Sequence, residues 1–552
     1  MRRLLTVGLV AVAIFSGQAG AAMLCIENAD MVTVRDALAR GEITTTALVE
    51  TYLARIAAYD AGGPKLNSVR EINPDALVIA GKIDATKRKS RRPLEGVPIL
   101  LKDNIATGDK QHTTAGSLAL EGARAQRDAT VTKLLRDAGA VILGKANLTE
   151  FANILAVGMP SGYSSLGGQA LNPYATAVDA RSTPIVPTGG SSAGSGVAIA
   201  AGLAAAAIGT ETSGSLLSPA NQNGLVTVKP TVGLVSRAGI IPIAGSQDTA
   251  GPMTRTVRDA AVLLNVLAVP DPADPATAKM KRPKDYTEGL SKDGLRGIRI
   301  GVPSDPSDPG NDVYYGPLGL KSRQVMARAI TALEDGGATI IRANIPTAGW
   351  IGGPGTDMAV LNRNPESPGL NTVARLSIVF VYELKHDMNA YLRDWARGTR
   401  IKTFEDIIAF NQAHADRALR FGQDIFLAAS ATKGDLSEPE YKAARRNDLL
   451  SSRKNGLDPY MDAHRLDAVL FPGTAGAGIA AKAGYPSVLV PAGFISGVGT
   501  VETPDYPLGA AFAGRAWSEA KLLRIAYAFE QATLARRMPP GLPALTSGCG
   551  PG

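Results

Sequence analysis

The sequence predicts an α/β layered fold. Short apolar runs are bounded by glycine, apolar residues recur at helical spacing between them, and the two patterns alternate along the 552-residue chain.

The elements follow in order. Arg2 and Arg3 precede an apolar run from Leu4 to Phe15, and Ala19-Gly20-Ala21 is an A-x-A-like cleavage site. This is the pattern of a secretory leader covering residues 1–21, and its run is shorter than the roughly 20 residues a membrane span needs. Between Asp36 and Ala58, the residues Leu38, Leu48, Tyr52 and Ile56 lie at helical spacing, with Thr44–Thr46 offering a cap between two helices. Val97 to Leu101 is a buried strand. Val131, Leu134, Leu135 and Ala138 form a helix face that stops at Gly139, and Ala140 to Leu143 is a strand ending at Gly144. Val325, Ala329 and Leu333 repeat the pattern, with Gly336-Gly337 as the stop and Ala338 to Ile341 as the strand. Asp467 to Phe471 and Ser487 to Val490 are further buried strands, and Leu522, Ile525 and Phe529 mark a late helix. Pro270 to Pro283 and Asn344 to Asn371 are surface loops rich in proline or glycine. Alternation resumes after each, so one large domain with insertions is expected.

Composition narrows the function. Hydrophobic residues make up 45% and charged residues 20%, which excludes a disordered or fibrous chain. The net charge of +8 is spread along the sequence, which excludes a nucleic-acid patch built from clustered Lys and Arg. Two cysteines, Cys25 and Cys549, exclude a cysteine-rich metal site and leave a terminal disulfide or two free thiols as the open readings. The four histidines, His112, His386, His414 and His464, have no metal-ligand spacing, so no metal or cofactor is expected.

The unusual stretch is Gly189-Gly190-Ser191-Ser192-Ala193-Gly194-Ser195-Gly196. A small-residue helical run follows from Val197 to Ala206, and then comes Ile208-Gly209-Thr210-Glu211-Thr212-Ser213-Gly214-Ser215. Glycine permits positive φ, and successive amides in such turns make an anion nest suited to phosphate or to a developing oxyanion. No lysine follows at P-loop spacing. A serine nucleophile needs a base, and no histidine lies in these segments. Lys102, at the end of the buried run and the start of Lys102-Asp103-Asn104, is the candidate, because burial lowers an amine's pKa from about 10.4.

These three segments, in this order and spacing, resemble the amidase signature family. So do Gly144-Lys-Ala-Asn-Leu-Thr-Glu, Gly224-Leu-Val-Thr-Val-Lys-Pro, Ser246-Gln-Asp-Thr-Ala-Gly-Pro-Met and Gly484-Tyr-Pro-Ser. The resemblance runs from about residue 27 to 537, leaving 538–552 as a tail and placing variable insertions at about 270–460. It implies a single domain with a mixed, twisted central sheet covered by helices on both faces. It also implies a triad: Ser215 as nucleophile, Ser191 as a bridge with a cis bond to Gly190, and Lys102 as base. The amides of Thr212, Ser213, Gly214 and Ser215 would form the oxyanion hole, with Ser192 and Asp248 in support.

Ser213 stands where the family usually has Gly or Asp, and Leu216-Leu217 lacks the Arg or Gln common in the amidotransferase branch. Thr210-Glu211-Thr212 and the Ala-Phe-Asn-Gln-Ala-His run around Asn411 are most similar to peptide amidases. The resemblance therefore implies a hydrolase of C-terminal peptide amides. The leader pattern predicts an exported, periplasmic or secreted, protein with no stable membrane insertion after leader removal, and the diffuse charge predicts no nucleic-acid partner. Aryl-acylamide and fatty-amide hydrolases, an amidotransferase A-type subunit and a periplasmic binding protein are the alternatives.

Overall fold

The computed structural model describes residues 24–86, 91–348, 358–360, 375–497 and 504–545. Eleven strands form one sheet: β1 (Val69–Ile72), β2 (Pro98–Lys102), β3 (Val141–Ala146), β4 (Ala206–Glu211), β5 (Val226–Lys229), β6 (Thr249–Thr254), β7 (Arg299–Val302), β8 (Thr339–Arg342), β9 (Ala468–Pro472), β10 (Ser487–Ile495) and β11 (Tyr506–Ala513). Their spatial order is β1-β3-β2-β4-β6-β5-β10-β11-β9-β7-β8. The sheet is mixed. β2 runs parallel to both β3 and β4, β7 runs parallel to both β8 and β9, and the pairs joining these two blocks are antiparallel.

Every residue of β2, β3, β4, β5, β6 and β9 is buried. Successive strand side chains point to opposite faces, so both faces of this sheet are covered. A second, smaller apolar cluster lies beside the main core. Helix α6 (Ile378–Asp394) and the helices Phe404–Ala413 and Asp424–Ser430 contribute Leu384, Met388, Phe404 and Phe426 to it, around Phe151. The Phe426 ring lies 4.8 Å from that of Phe151 and 4.7 Å from that of Phe404.

The expected helices are present as α1 (Met31–Arg40), α2 (Thr45–Arg55), α3 (Thr130–Asp137), α4 (Ala193–Ala200), α5 (Leu320–Asp335) and α7 (Glu519–Thr533). Thr44 caps α2 by accepting the Ala47 amide at 3.1 Å, and Gly41 closes α1 in the left-handed conformation.

Two expectations are corrected. The small-residue run from Val197 to Ala206 is not one helix. α4 ends at Ala200, Gly202 turns the chain at φ +70°, and Ala206 already belongs to β4. Alanine and glycine carry no periodic signal, so tertiary packing decides between helix and strand. Gly144 does not end its strand. β3 continues through it to Ala146, and Gly144 pairs with Ile72 on β1. A Cβ there would sit 2.3 Å from the Glu71 carbonyl oxygen, so the glycine permits close approach of β1.

Cys25 is disulfide-bonded. Cys549, residues 1–21, the tail beyond 545 and most of the Asn344–Asn371 loop lie outside the described residues. Pro270–Pro283 is a loop holding a single 3₁₀ turn, Pro275–Lys279.

Gly144→Ala should destabilise the fold by about 1–3 kcal/mol, since the added methyl has only backbone to push against. A fall in the urea midpoint checks this. An unchanged midpoint would mean β1 does not pack over Gly144.

Candidate active site

Parallel pairing of β2 with β4, in the register Leu101↔Ile208, brings the C-terminal ends of the two strands side by side. Lys102 ends the first and Thr210 lies at the end of the second. The Lys102 side chain has no solvent exposure. Its Nζ donates to Ser191 Oγ at 2.7 Å, to Thr210 Oγ1 at 2.9 Å and to the Thr210 carbonyl at 3.3 Å. Burial pulls the amine down from 10.5 to about 7, and the negative charges of Asp248 and Glu211 offset only part of that shift.

The three partners define what this amine does when neutral. It then keeps two N–H groups and one lone pair. The Thr210 carbonyl can only accept. Thr210 Oγ1 accepts from Asn104 Nδ2 at 3.0 Å and keeps a hydroxyl proton of its own. The lone pair can accept from the Ser191 hydroxyl, the shorter of its two hydroxyl contacts.

Ser191 sits in the turn before α4, 1% exposed, and its peptide bond to Gly190 is cis. Its carbonyl accepts the Thr149 amide at 3.0 Å. Gly190 allows this approach, because a Cβ there would lie 2.6 Å from Thr149 Oγ1. Ser192 ties the two signature turns together. Its amide donates to the Ser215 carbonyl at 3.2 Å, and its hydroxyl donates to the Thr210 carbonyl at 3.0 Å while accepting the Thr210 amide at 3.2 Å. Ser192 thus holds Thr210, and Thr210 holds Lys102.

Ser215 follows β4 in a turn, with Gly214 at φ +83°. Glu211, 1% exposed, clamps that turn. Its carboxylate accepts the Gly214 amide at 2.7 Å, the Leu216 amide at 2.7 Å and the Leu217 amide at 3.0 Å. This corrects one sequence expectation: the Gly214 N–H is committed to Glu211 and does not face an oxyanion. The amides of Thr212, Ser213 and Ser215 make no hydrogen bond within the chain among the described residues. Asp248, half-buried, is bonded to this turn. It accepts the Thr212 hydroxyl and the amides of Ile243 and Ala244, at 2.9 and 3.0 Å, and burial pushes its carboxyl up to about 7.

Lys102, Ser191, Ser192, Asp248 and the Ser215 turn are therefore linked through hydrogen bonds. Sequence reasoning missed Thr210, Glu211, Asn104 and Thr149. A lone carboxylate four residues before Ser215, in an otherwise uncharged run, was the signal for Glu211. A cavity of about 410 Å³ opens next to this cluster, with Asn104, Thr210, Thr212 and Asp248 in its wall. Among the described residues no group of three or more His, Cys, Asp or Glu converges as metal ligands, and no helix is long and apolar enough to cross a membrane.

The family model described as Amidase matches residues 47–523 of the chain. The chain belongs to the Amidase family.

This amidase is similar over nearly its whole length to solved and curated members. The native peptide amidase of Stenotrophomonas maltophilia is 40% identical, with 94% of this chain and 99% of that chain covered and a TM-score of 0.78. A probable amidase of Arabidopsis thaliana is 38% identical over 524 residues, 93% of this chain and 92% of the relative. The A-type subunit of the glutamyl-tRNA(Gln) amidotransferase of Cereibacter sphaeroides is 34% identical over 526 residues, 92% of this chain and 98% of the relative. The amidase is an amide hydrolase of α/β class, and its single domain is built on the large mixed sheet.

Glu211→Gln replaces one acceptor oxygen of the clamp by an NH₂ group that faces backbone N–H donors. Hydrogen bonds to a charged group are worth about 1.5–3 kcal/mol. The variant should lose at least about tenfold in kcat/KM and melt earlier. Steady-state kinetics and thermal unfolding check this, and wild-type values for both would remove Glu211 from its clamping role.

Proposed function

We propose that the amidase cleaves carboxamide C–N bonds through an acyl-enzyme on Ser215, with Ser191 as proton bridge, Lys102 as base and C-terminal peptide amides as substrate. The observation that carries this reading is the 2.7 Å contact between a fully buried amine, lowered to about 7, and the Ser191 hydroxyl.

The first transfer runs along the Lys102–Ser191 hydrogen bond, and the proposed relay adds Ser215 Oγ beyond it. Neutral Lys102 takes the proton of Ser191 Oγ as Ser191 takes that of Ser215 Oγ. The Ser215 oxygen then attacks the carbonyl carbon. The amides of Thr212, Ser213 and Ser215 are the donors left to stabilise the resulting oxyanion, each such donor being worth about 2.7–4 kcal/mol. As the C–N bond breaks, the proton returns from Lys102 through Ser191 to the leaving nitrogen. Water then attacks the Ser215 ester by the same proton route, releasing the acid and restoring the serine.

The full-length similarity to peptide amidase supports C-terminal peptide amides as substrate. The amidotransferase relatives favour a second reading, in which glutamine supplies the amide. A hydrolysis screen of peptide amides, anilides, fatty amides and glutamine, compared by kcat/KM, separates the two. The leader pattern at residues 1–21 supports export, whereas residues 538–545 of the expected tail pack on the domain, with Leu542 in its main core and the Pro543 carbonyl accepting from Arg55 and Tyr59. N-terminal sequencing of the mature protein tests export.

The lysine's lowered pKa fixes the sign of the pH dependence. Protonated Lys102 cannot accept a proton, so kcat/KM should fall as pH drops through about 7 and level off above it. Lys102→Ala should lower kcat by about 10²–10⁴-fold. Ser215→Ala should abolish labelling by a fluorophosphonate. Undiminished turnover in the first variant, or persistent labelling in the second, would overturn the assigned roles.

A further inference from the structure

The 410 Å³ cavity shares Thr210, Thr212 and Asn104 with the surroundings of the proposed triad, and its opposite wall comes from Asp387, Tyr391 and Asp394 of α6, with Trp395 just beyond the helix. Its charges do not balance. Among the described residues Asp274, Asp387 and Asp394 line it against one cation, Arg237, with Asp248, its carboxyl pushed up to about 7, beside them.

Three donors of Arg237 are already engaged within the protein. Its guanidinium grips Asp274 through Nε at 2.8 Å and Nη2 at 2.5 Å, and Nη1 donates to the Gly245 carbonyl. Asp387 accepts the Gly245 amide at 2.7 Å and pairs with His386, and Asp394 pairs with Arg393. Both pairing partners are exposed residues, and such surface pairs hold their carboxylates only weakly.

A second observation points the same way. Asn104 is 2% exposed, and its Nδ2 donates to Thr210 Oγ1 at 3.0 Å and the Ile241 carbonyl at 3.3 Å. Among the described residues its Oδ1 has no hydrogen-bond partner. The wall thus offers acceptors and negative charge, flanked by the apolar faces of Ile240, Ile243, Tyr391 and Trp395. The Trp395 ring already carries one guanidinium, that of Arg127, 3.9 Å from its centroid. A complementary ligand brings an apolar stem and a cationic, donor-rich head, which is the chemistry of a lysine or arginine side chain.

We propose that this cavity selects peptide amides whose C-terminal residue is basic, with the stem against Tyr391 and Trp395 and the cationic head at Asp387 and Asp394. The inference rests on the peptide-amide reading above.

The test compares kcat/KM of the full chain on acetyl-Ala-Lys-NH₂, acetyl-Ala-norleucine-NH₂ and acetyl-Ala-Glu-NH₂. The expected order is lysine, then norleucine, then glutamate, with lysine ahead of norleucine by about tenfold or more, as charge-assisted hydrogen bonds provide. In the Asp387→Asn/Asp394→Asn double variant the lysine-to-norleucine ratio should fall to within about threefold. The ratio is internal to each preparation, so a partly unfolded variant does not blur it. Turnover of all three peptides at similar efficiency overturns the inference and leaves the peptide-amide reading standing, as does a lysine preference that survives in the double variant. No turnover of any peptide overturns that reading and this inference together.

Discussion

The site depends on keeping an amine dry. A lysine at the end of a core strand loses its hydration shell, and the cost of a buried positive charge drives the amine toward its neutral form. Lys102 is not alone in this. Lys145 and Lys229 are also fully buried, and burial lowers each to about 8. The difference lies in what the amines meet. Lys145 donates to the Ile105 carbonyl and Thr113 Oγ1, and Lys229 donates to the Tyr485 carbonyl. Only Lys102 among the three points at a serine hydroxyl, whose hydrogen bond can reverse direction when the amine loses its proton.

The sheet supplies this arrangement at low conformational freedom. Parallel β2 and β4 end together, so Lys102 and Thr210 meet without a long loop between them. Ser192 then fixes Thr210 from above and carries the Ser215 carbonyl on its amide. Asp103, the neighbour of Lys102, is locked by Arg70 at 2.6 Å and by the Thr114 hydroxyl, which anchors the strand end from the other side. Each first contact of the amine therefore rests on a residue that is itself hydrogen-bonded, the usual requirement for holding reacting groups in productive geometry.

Much of this was legible in the sequence. The run Val97–Leu101 announced a buried strand, and Lys102 at its end was a candidate base that the resemblance to the amidase signature family singled out. The two glycine–serine turns suggested an anion nest, but the Gly190, Ser192 and Gly194 amides of the first are bonded within the chain. What the sequence hid was pairing. Thr210 matters because β2 lies beside β4, and no local pattern records that neighbour. Glu211 stood in plain view within its motif, yet its three amide contacts exist only once the turn has formed, and they take the Gly214 N–H out of the proposed oxyanion hole. The alanine-rich stretch before β4 misled because small residues fit either helix or strand. Gly144 misled because a glycine required for strand approach looks the same in sequence as one that ends a strand. The second core around Phe151 and Phe426 joins residues more than 250 positions apart, which apolar periodicity cannot link.

The central claim is that the Lys102 amine is neutral near physiological pH inside the folded protein. Carbon NMR of protein labelled at lysine Cε, titrated over pH and assigned with Lys102→Arg, measures this without reference to any substrate. The account predicts that the signal lost in the variant titrates at about 7, well below the bulk of the lysines. A Lys102 resonance that stays charged until pH approaches about 10.4, the value of a solvated lysine, would contradict it.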